Sequence, residues 1–550
     1  MLDLRRPVPE RARAELEASV PSRTCGYLAL VLHAHLPYVR HPEYERFLEE
    51  RWLFEAVTET YIPLIKFLDR LRDEGVRFRL TVSLSPTLAT MLEDELLRER
   101  YQRHLELCVR LADAEIGRTR DWPGVHRLAC MYRVLFEEAR EVFLHRCGTR
   151  VVTALRDHQE TGGLELITCA GTHGFLPGLA ADPASVRAQI LAGVREHQRL
   201  FGCKPPGLWL PECGYYPGLD QVLVEAGLRY TILETHGIEH ATPRPLMGVH
   251  APVICPSGLA AFGRNPSTSR LVWSGNVGYP ADANYREYHR DIGFDLDQGY
   301  LEPYQYAAGV RASTGIKYHR ITSRGPRKDL YDPDRGCEVA VQHAQDFVGR
   351  CLGEVRRVRA RTASPAIVLS PYDAELFGHW WFEGPQWLYH VLRGAAGSAE
   401  GLGLVTPSEY LDLFPVHQRG TPAPTSWGHR GYSEHWVNPK TQWVWRPLHE
   451  AGLRWRAILA HRGLRPPGEA RALRQAGREL LLAQSSDWPF AITNGTTEQY
   501  ATRRFWDHLS RCHELLSDLE GGTVNEEKLG ALEHMDAIFP ELDVGWWSSD

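Results

Sequence analysis

The segment "SPYDAELFGHWWFEGP", residues 370–385, sets Asp373, Glu375, His379 and Glu383 among five aromatic side chains. A solvated loop gains nothing by exposing Trp380, Trp381 and Phe382 together, and a core gains nothing by burying three acids and a histidine. Flat rings beside acids suit a site that stacks sugar rings and does acid chemistry on the bonds between them. A second acid of this kind is Glu212 in "GLWLPECGYYPG", which follows Pro211, precedes Gly214 and has aromatic neighbours. Glycosidic cleavage with retention needs a carboxylate nucleophile on one face of the sugar and a protonatable carboxyl on the other, about 5–5.5 Å apart. Glu212 and Asp373 are the two candidates.

The elements that must position these acids are short apolar runs that end in polar residues. "YLALVL" runs into His33-Ala-His35, "LELITCAG" into Thr172-His173, "PPGLWLP" into Glu212, "RYTILE" into Thr235-His236, and "AIVLS" into Tyr372-Asp373. Five repeats of one arrangement predict a parallel β/α barrel, whose site collects at the C-terminal strand ends. Helical spacing of Leu97, Tyr101, Leu105, Cys108 and Leu111, then of Leu128, Tyr132, Leu135, Ala139 and Val142, predicts a helical insertion at about residues 86–160. Beyond about residue 415 the strand signal fades. Leu473, Ala476 and Leu480, then Phe505, Leu509, Cys512 and Leu516, fall on single helical faces, so residues 416–550 are expected to form a helical domain and 26–415 the barrel.

Between the two lies "TSWGHRGYSEHWVNPKTQWVWRP", residues 425–447, whose four tryptophans sit among loop residues. Trp427 and Trp436 read as glucan platforms, while Trp443 and Trp445 are as readily residues that pack the two domains together. Trp381 is a further candidate sugar contact.

Composition narrows the classes. A length of 550 residues exceeds one ordinary domain, and a net charge of −6 of mixed sign offers no basic stripe, so nucleic acid is not expected as a partner. Eleven cysteines, scattered singly without a CxxC pair, favour reduced thiols in a cytoplasm over disulfides or a zinc ribbon. No stretch reaches about 18 uninterrupted apolar residues, so no membrane association is expected. Residues 1–25 alternate charge and proline without an apolar core, the composition of a disordered leader.

Together the motifs make the chain recognisable. "HAHLPY" (His33 to Tyr38), "ELITCAGTHGFLP" (Glu165 to Pro177), "GLWLPECGY" (Gly207 to Tyr215), the "YDAELFGHWWFEGP" segment and "LLAQSSDWPF" (Leu481 to Phe490) resemble glycoside hydrolase family 57, and within it the 1,4-alpha-glucan branching enzymes. The resemblance implies an α/β fold: an incomplete seven-stranded (β/α) barrel with an inserted helical domain and a C-terminal helical domain. It implies Glu212 as nucleophile and Asp373 as general acid/base. His33, His35 and His173 sit where the family places histidines around the first donor subsite, Trp427 and Asp487 fall in matching C-terminal segments, and Arg290 in "YREYHRDIGFD" is a further contact. The first motif departs from the family in one place. Leu36 precedes Pro37 where many members carry Gln, so no subsite role transfers to position 36.

Taken alone, Glu212 would read as a helix cap and Asp373 as a loop acid bonded to backbone amides; their place at two strand ends inside long motifs reverses that. His33 and His35 share one strand face, as a metal-ligand pair would, but a sugar contact fits better, and neither metal nor cofactor is expected. A metal-dependent polysaccharide deacetylase would need an early Asp that "VLHAHLPY" lacks, and a non-catalytic glucan-binding protein would not keep both acids. Branching, 4-alpha-glucan transfer and hydrolysis can share one covalent intermediate and differ in the acceptor. The Trp-rich loop and "QSSDWPF" are the branching-type features, with Trp427 as the expected wall that holds an acceptor and excludes water. The expectation is a monomeric or weakly oligomeric enzyme that builds alpha-1,6 branches in glycogen-type polysaccharide.

Overall fold

All nine residues of β1 (Gly26–Ala34) are buried, because both faces of the strand are covered. The period of two sorts them. Leu28, Leu30, Leu32 and Ala34 face the surrounding helices, while Tyr27, Ala29 and Val31 join Ile167, Cys169, Trp209, Ile232, Phe262, Ile367 and Leu369 inside the barrel. By the same parity His33, one strand step beyond Val31, and Asp373, two steps beyond Leu369, fall on the interior side at the C-terminal ends of their strands.

The computed structural model describes residues 24–548 except 276, 306–308, 323–327, 363, 399–400 and 461–465. The expected leader at 1–25 therefore lies outside the described residues but for Thr24 and Cys25. After β1 come β2 (Leu80–Leu84), β3 (Leu164–Cys169), β4 (Gly207–Trp209), β5 (Tyr230–Leu233), β6 (Val253–Ile254), β7 (Ala260–Gly263), β8 (Ala366–Asp373) and β9 (Leu402–Leu404). The sheet runs β6-β7-β5-β4-β3-β2-β1-β8, and all of it except the two-residue β6 is parallel, which leaves seven barrel strands. β9 pairs with the start of β1. No ladder joins β7 to β8. That seam is bridged by the Asn265 N–H donating to the Leu369 carbonyl (2.9 Å) and by Ser370 and Tyr372 hydroxyls bonded to Thr268. The barrel is incomplete, as expected.

Register brings Asp373, His33 and Ser83 side by side on β8, β1 and β2. Between β2 and β3 the helices Glu95–Arg118 and Pro123–Glu141 form the insertion; Asp94 caps the first through the Leu97 N–H, and Pro123 opens the second. Their buried faces pack on Ile292, Leu301, Ile316, Tyr318 and Tyr331 from a second excursion between β7 and β8, which periodicity did not reveal. The C-terminal region is helical: Gln442–Ala460, Pro467–Ala483, Asp487–Asn494, Glu498–Gly521 and Glu526–Met535, with Leu473, Ala476, Leu480, Phe505, Leu509, Cys512 and Leu516 all buried. No helix among the described residues is long and apolar enough to cross a membrane, and all eleven cysteines are free thiols.

One glycine secures the aromatic loop beyond β8. Gly378 has φ 111°, and a Cβ there would stand 1.7 Å from the Glu59 carbonyl oxygen. Gly378→Ala combines backbone strain with a clash against main chain, so denaturant unfolding is expected to show a loss of at least ~1–3 kcal/mol.

Candidate active site

The C-terminal strand ends open into a cavity of about 630 Å³ lined by His33, His35, Leu36, His173, Glu212, Arg264, Trp273, Asp373, Glu375, Trp380, Trp427, Asp487 and Phe490, among others. Glu212 sits in a single helical turn, Pro211–Cys213, directly after β4. Its backbone is left-handed (φ 61°, ψ 21°), and so are Cys213 (φ 52°) and His173 after β3 (φ 57°), conformations that β-carbon-bearing residues resist. Bonds from the C-terminal region hold them. The Trp427 backbone N–H donates to the Glu212 carbonyl (2.7 Å) while its indole N–H donates to Glu212 Oε2 (2.5 Å). The Ser486 backbone N–H donates to the His173 carbonyl (3.0 Å), and its hydroxyl donates to Glu212 Oε1 (2.8 Å) and lies 2.7 Å from His173 Nδ1.

Asp373 is held differently. No hydrogen bond reaches its carboxyl among the described residues, and its neighbours act through charge. Burial pushes its pKa up first and Glu375 adds to that; Arg264 and His35 pull it down, leaving it at about 7. Burial also raises Glu212 to about 7, against the lowering bonds from Ser486 and Trp427. Glu375 is likewise raised to about 7 by burial, although the Tyr61 hydroxyl and the His35 N–H bond to it. Asp487 goes the other way: burial alone would raise it, but the charge and hydrogen bond of His35, with His173 and Ser485, bring it to about 2.

The imidazoles form a stacked group. His35 and His173 rings lie 3.7 Å apart at 11°, and His33 stacks on Trp209 at 4.8 Å. Burial, reinforced by neighbouring imidazoles, holds His33 and His173 well below the usual histidine range. Side-chain atoms of His35, His173 and Asp487 lie within 4.8 Å of one another, close enough to share an ion. Every ring nitrogen of the three histidines nevertheless has a protein partner: Ser83 and His173 for His33, Ser85 and Asp487 for His35, Ser486 and His33 for His173. The set is complete as a hydrogen-bonded network.

Seven of the ten residues singled out from the sequence thus line one cavity: His33, His35, His173, Glu212, Asp373, Trp427 and Asp487. Three do not. Trp381 is 2% exposed and packs among Tyr285, Phe377 and Trp387; the cavity receives its neighbour Trp380, which is 52% exposed. Trp436 is buried against Phe175 (4.9 Å, 21°), so it joins barrel to C-terminal region rather than facing sugar. Trp445 does the same against Phe175 and Gly178, whereas Trp443 stacks on Trp506 within the C-terminal helices. Arg290 is paired with Asp295 at 2.8 Å and does not line the cavity. Leu36, given no role from sequence, supplies an apolar wall.

Arg264, Trp273 and Ser486 were not anticipated, and Glu375, noted among the acids of its segment, was given no role of its own. Arg264 follows β7, "AAFG", a sixth apolar run ending in a polar residue but too short to stand out. Glu375 and Ser486 lie inside quoted motifs, yet nothing in residue type separates them from their neighbours.

A family model described as glycosyl hydrolase family 57 matches residues 29–320, more than half the chain. The chain belongs to this family. Residues 447–547 of this family 57 member match a model described as 1,4-alpha-glucan branching enzyme, C-terminal. It is 33% identical to the 1,4-alpha-glucan branching enzyme of Thermococcus kodakarensis, across 96% of this chain and 79% of that protein. Two solved structures superpose closely. The alpha-amylase AmyC of Thermotoga maritima has a TM-score of 0.89 at 42% identity, covering 96% of this chain and 99% of that one. The family 57 branching enzyme of Pyrococcus horikoshii has 0.86 at 33%, covering 96% and 97%.

The raised Asp373 pKa has a stability consequence with a definite sign. A carboxyl that titrates at about 3.9 unfolded and about 7 folded binds more protons in the folded state between those values, so stability falls as pH rises from about 4 to 7. Asp373→Asn removes this charge without removing a hydrogen bond. It is expected to match the parent protein near pH 4 and to exceed it by up to a few kcal/mol at pH 8, as read by urea unfolding at the two pH values.

Proposed function

We infer that this family 57 chain is a retaining 1,4-alpha-glucan branching enzyme, and the observation that carries the mechanism is the unequal treatment of its two site carboxyls. Glu212 has a donor on each oxygen, which favours the carboxylate; Asp373 has none, which leaves it free to keep and deliver a proton. In the first step Glu212 attacks the anomeric carbon while Asp373 protonates the departing glycosidic oxygen, releasing the shortened chain. A glucosyl ester on Glu212 and an Asp373 carboxylate result, the latter stabilised by Arg264. In the second step Asp373 takes the proton of an incoming 6-hydroxyl as that oxygen displaces Glu212, and the configuration is retained. Asp487, whose carboxylate oxygens keep lone pairs beyond the bonds from His35 and Ser485, is the acceptor for donor-sugar hydroxyls, while the internally paired His33, His35 and His173 fix the shape of the wall beside it.

The C-terminal match and the branching-enzyme relatives favour a 6-hydroxyl acceptor. The 42% identity to the Thermotoga maritima alpha-amylase AmyC supports a second reading, in which water takes that place. In this reading of the chain, residues 26–415 with the insertion at 86–160 form the catalytic part, and 416–550 contributes Trp427, Ser486 and Asp487. Amylose, amylopectin and glycogen are the proposed substrates, the cytoplasm the proposed compartment, and a monomer or weak homo-oligomer the proposed state.

Proton NMR of amylose after incubation decides the reaction. New alpha-1,6 signals in excess of new reducing ends are expected; reducing ends without branches would mean hydrolysis. Glu212→Gln is expected to cut turnover by several orders of magnitude. With external azide, Glu212→Ala should yield an inverted glycosyl azide and Asp373→Ala a retained one; the opposite pairing would exchange the two roles.

Because the Trp427 indole N–H is committed to Glu212, the acceptor wall is better sought in Trp380, exposed at the cavity and stacked on Tyr288 at 4.2 Å. A ring stacked there contributes on the order of 1 kcal/mol. Trp380→Ala is expected to lower branching severalfold and raise the ratio of hydrolysis to branching in the same NMR assay.

A further inference from the structure

A second cavity, of about 440 Å³, lies between the helix Ile62–Asp73, the insertion helix Pro123–Glu141 and residues 382–386. Its size falls in the range of small-molecule sites, about 300–1,000 Å³. Two oppositely charged side chains, each 3% exposed, line it: Arg286 and Glu383. The Arg286 guanidinium donates from Nη1 to the Tyr132 hydroxyl (3.3 Å), while Nε and Nη2 have no hydrogen-bond partner. Glu383 accepts the Arg286 backbone N–H at Oε1 (3.0 Å) and a bond from the Tyr331 hydroxyl, and has no partner for Oε2. Buried polar groups in folded proteins are almost always paired. Unpaired donors and an unpaired acceptor, shielded from solvent, thus stand on two side chains of one cavity wall, and a ligand that both accepts and donates would complete them.

The remaining charges of the lining are engaged within the protein: Lys66 with Glu138, Arg70 with Glu74, Glu59 with His379. The open pair is therefore one cation with one anion, a poor match for a phosphate and a good one for a neutral polyhydroxyl compound. Ring faces complete the lining. The guanidinium lies 4.3 Å over the Phe382 ring, with Tyr132 and Phe136 alongside. A pyranose presents hydroxyls around its edge and C–H groups on its faces, which is the complement of this wall.

We propose that this cavity is a second, non-catalytic site that binds a glucosyl residue of an alpha-glucan chain. The choice of glucan among sugars rests on the functional reading above. The loop between β8 and the helix Gly384–Ala396 serves both sites, with Trp380 in the catalytic cavity and Phe382 and Glu383 in the second. A long chain held at the second site is kept at high local concentration beside the first.

The test titrates maltoheptaose by calorimetry into the full chain carrying Glu212→Gln, which binds glucan without consuming it. Two binding sites per chain are expected. Adding Arg286→Lys, which keeps the charge but loses the guanidinium fork, or Met131→Trp, which fills the cavity from the insertion helix, is expected to weaken one site at least tenfold and leave the other unchanged. In the otherwise active chain the same substitutions should leave turnover of maltoheptaose unaltered and raise the KM for amylose severalfold, with circular dichroism confirming the fold. One binding site per chain, insensitive to both substitutions, overturns the proposal even if the enzyme branches amylose normally. Two sites in a chain that forms no branches would instead strike the functional reading and leave the second site standing.

Discussion

The grip of the C-terminal region on Glu212 is the interaction on which the rest of the site depends. β4 contributes three residues before the chain turns, and Glu212 and Cys213 then take consecutive left-handed conformations at a cost of about 1–3 kcal/mol each. The barrel alone offers little to offset that cost. Trp427 and Ser486 do so from outside it, each using both its backbone and its side chain, and Thr425 extends the contact by pairing with Tyr215 through two backbone bonds (2.9 and 3.1 Å). The same bonds that offset the strain also face the carboxyl, so the orientation of Glu212 and its readiness to ionise come from one set of donors.

That arrangement explains which parts of the site were legible in the sequence. Strand parity and the polar ends of apolar runs are local properties, and they suffice to bring His33, His35, His173, Glu212 and Asp373 together. Two of the seven barrel strands escaped that reading. "LTVSL" carries Ser83 and runs into Ser85, which look like loop residues, and "AAFG" is too short and small to signal burial, so Ser83, Ser85 and Arg264 went with them. The tryptophans were hardest. Trp380 and Trp381 are adjacent and of one type, so only the turn set by Gly378 determines which is buried and which faces the cavity. Trp436 sits in a loop composition that suggests exposure, yet Phe175, more than 200 residues earlier, covers it. Ser486 matters through partners just beyond β3 and β4, which no local pattern records.

Electrostatically the cavity is economical with charge. Glu212, Asp373 and Glu375 all titrate near 7, while His33 and His173 stay neutral, so close carboxyls are not forced to ionise together. The His35–Asp487 contact is set apart: the two side chains bond to each other, and the Ser85 and Ser485 hydroxyls bond to them.

The seam between β7 and β8 bears on this balance in mechanical terms. Neighbouring strands elsewhere in the barrel are tied by ladders, whereas these two edges share one backbone bond and two side-chain bonds. Asp373 ends one edge and Arg264 follows the other. The spacing between the Asp373 carboxyl and the cation that lowers its pKa is thus set across the one pair of barrel neighbours described without a ladder. A shift of one edge against the other would change that spacing, and with it the proton affinity of the carboxyl, without a ladder having to break.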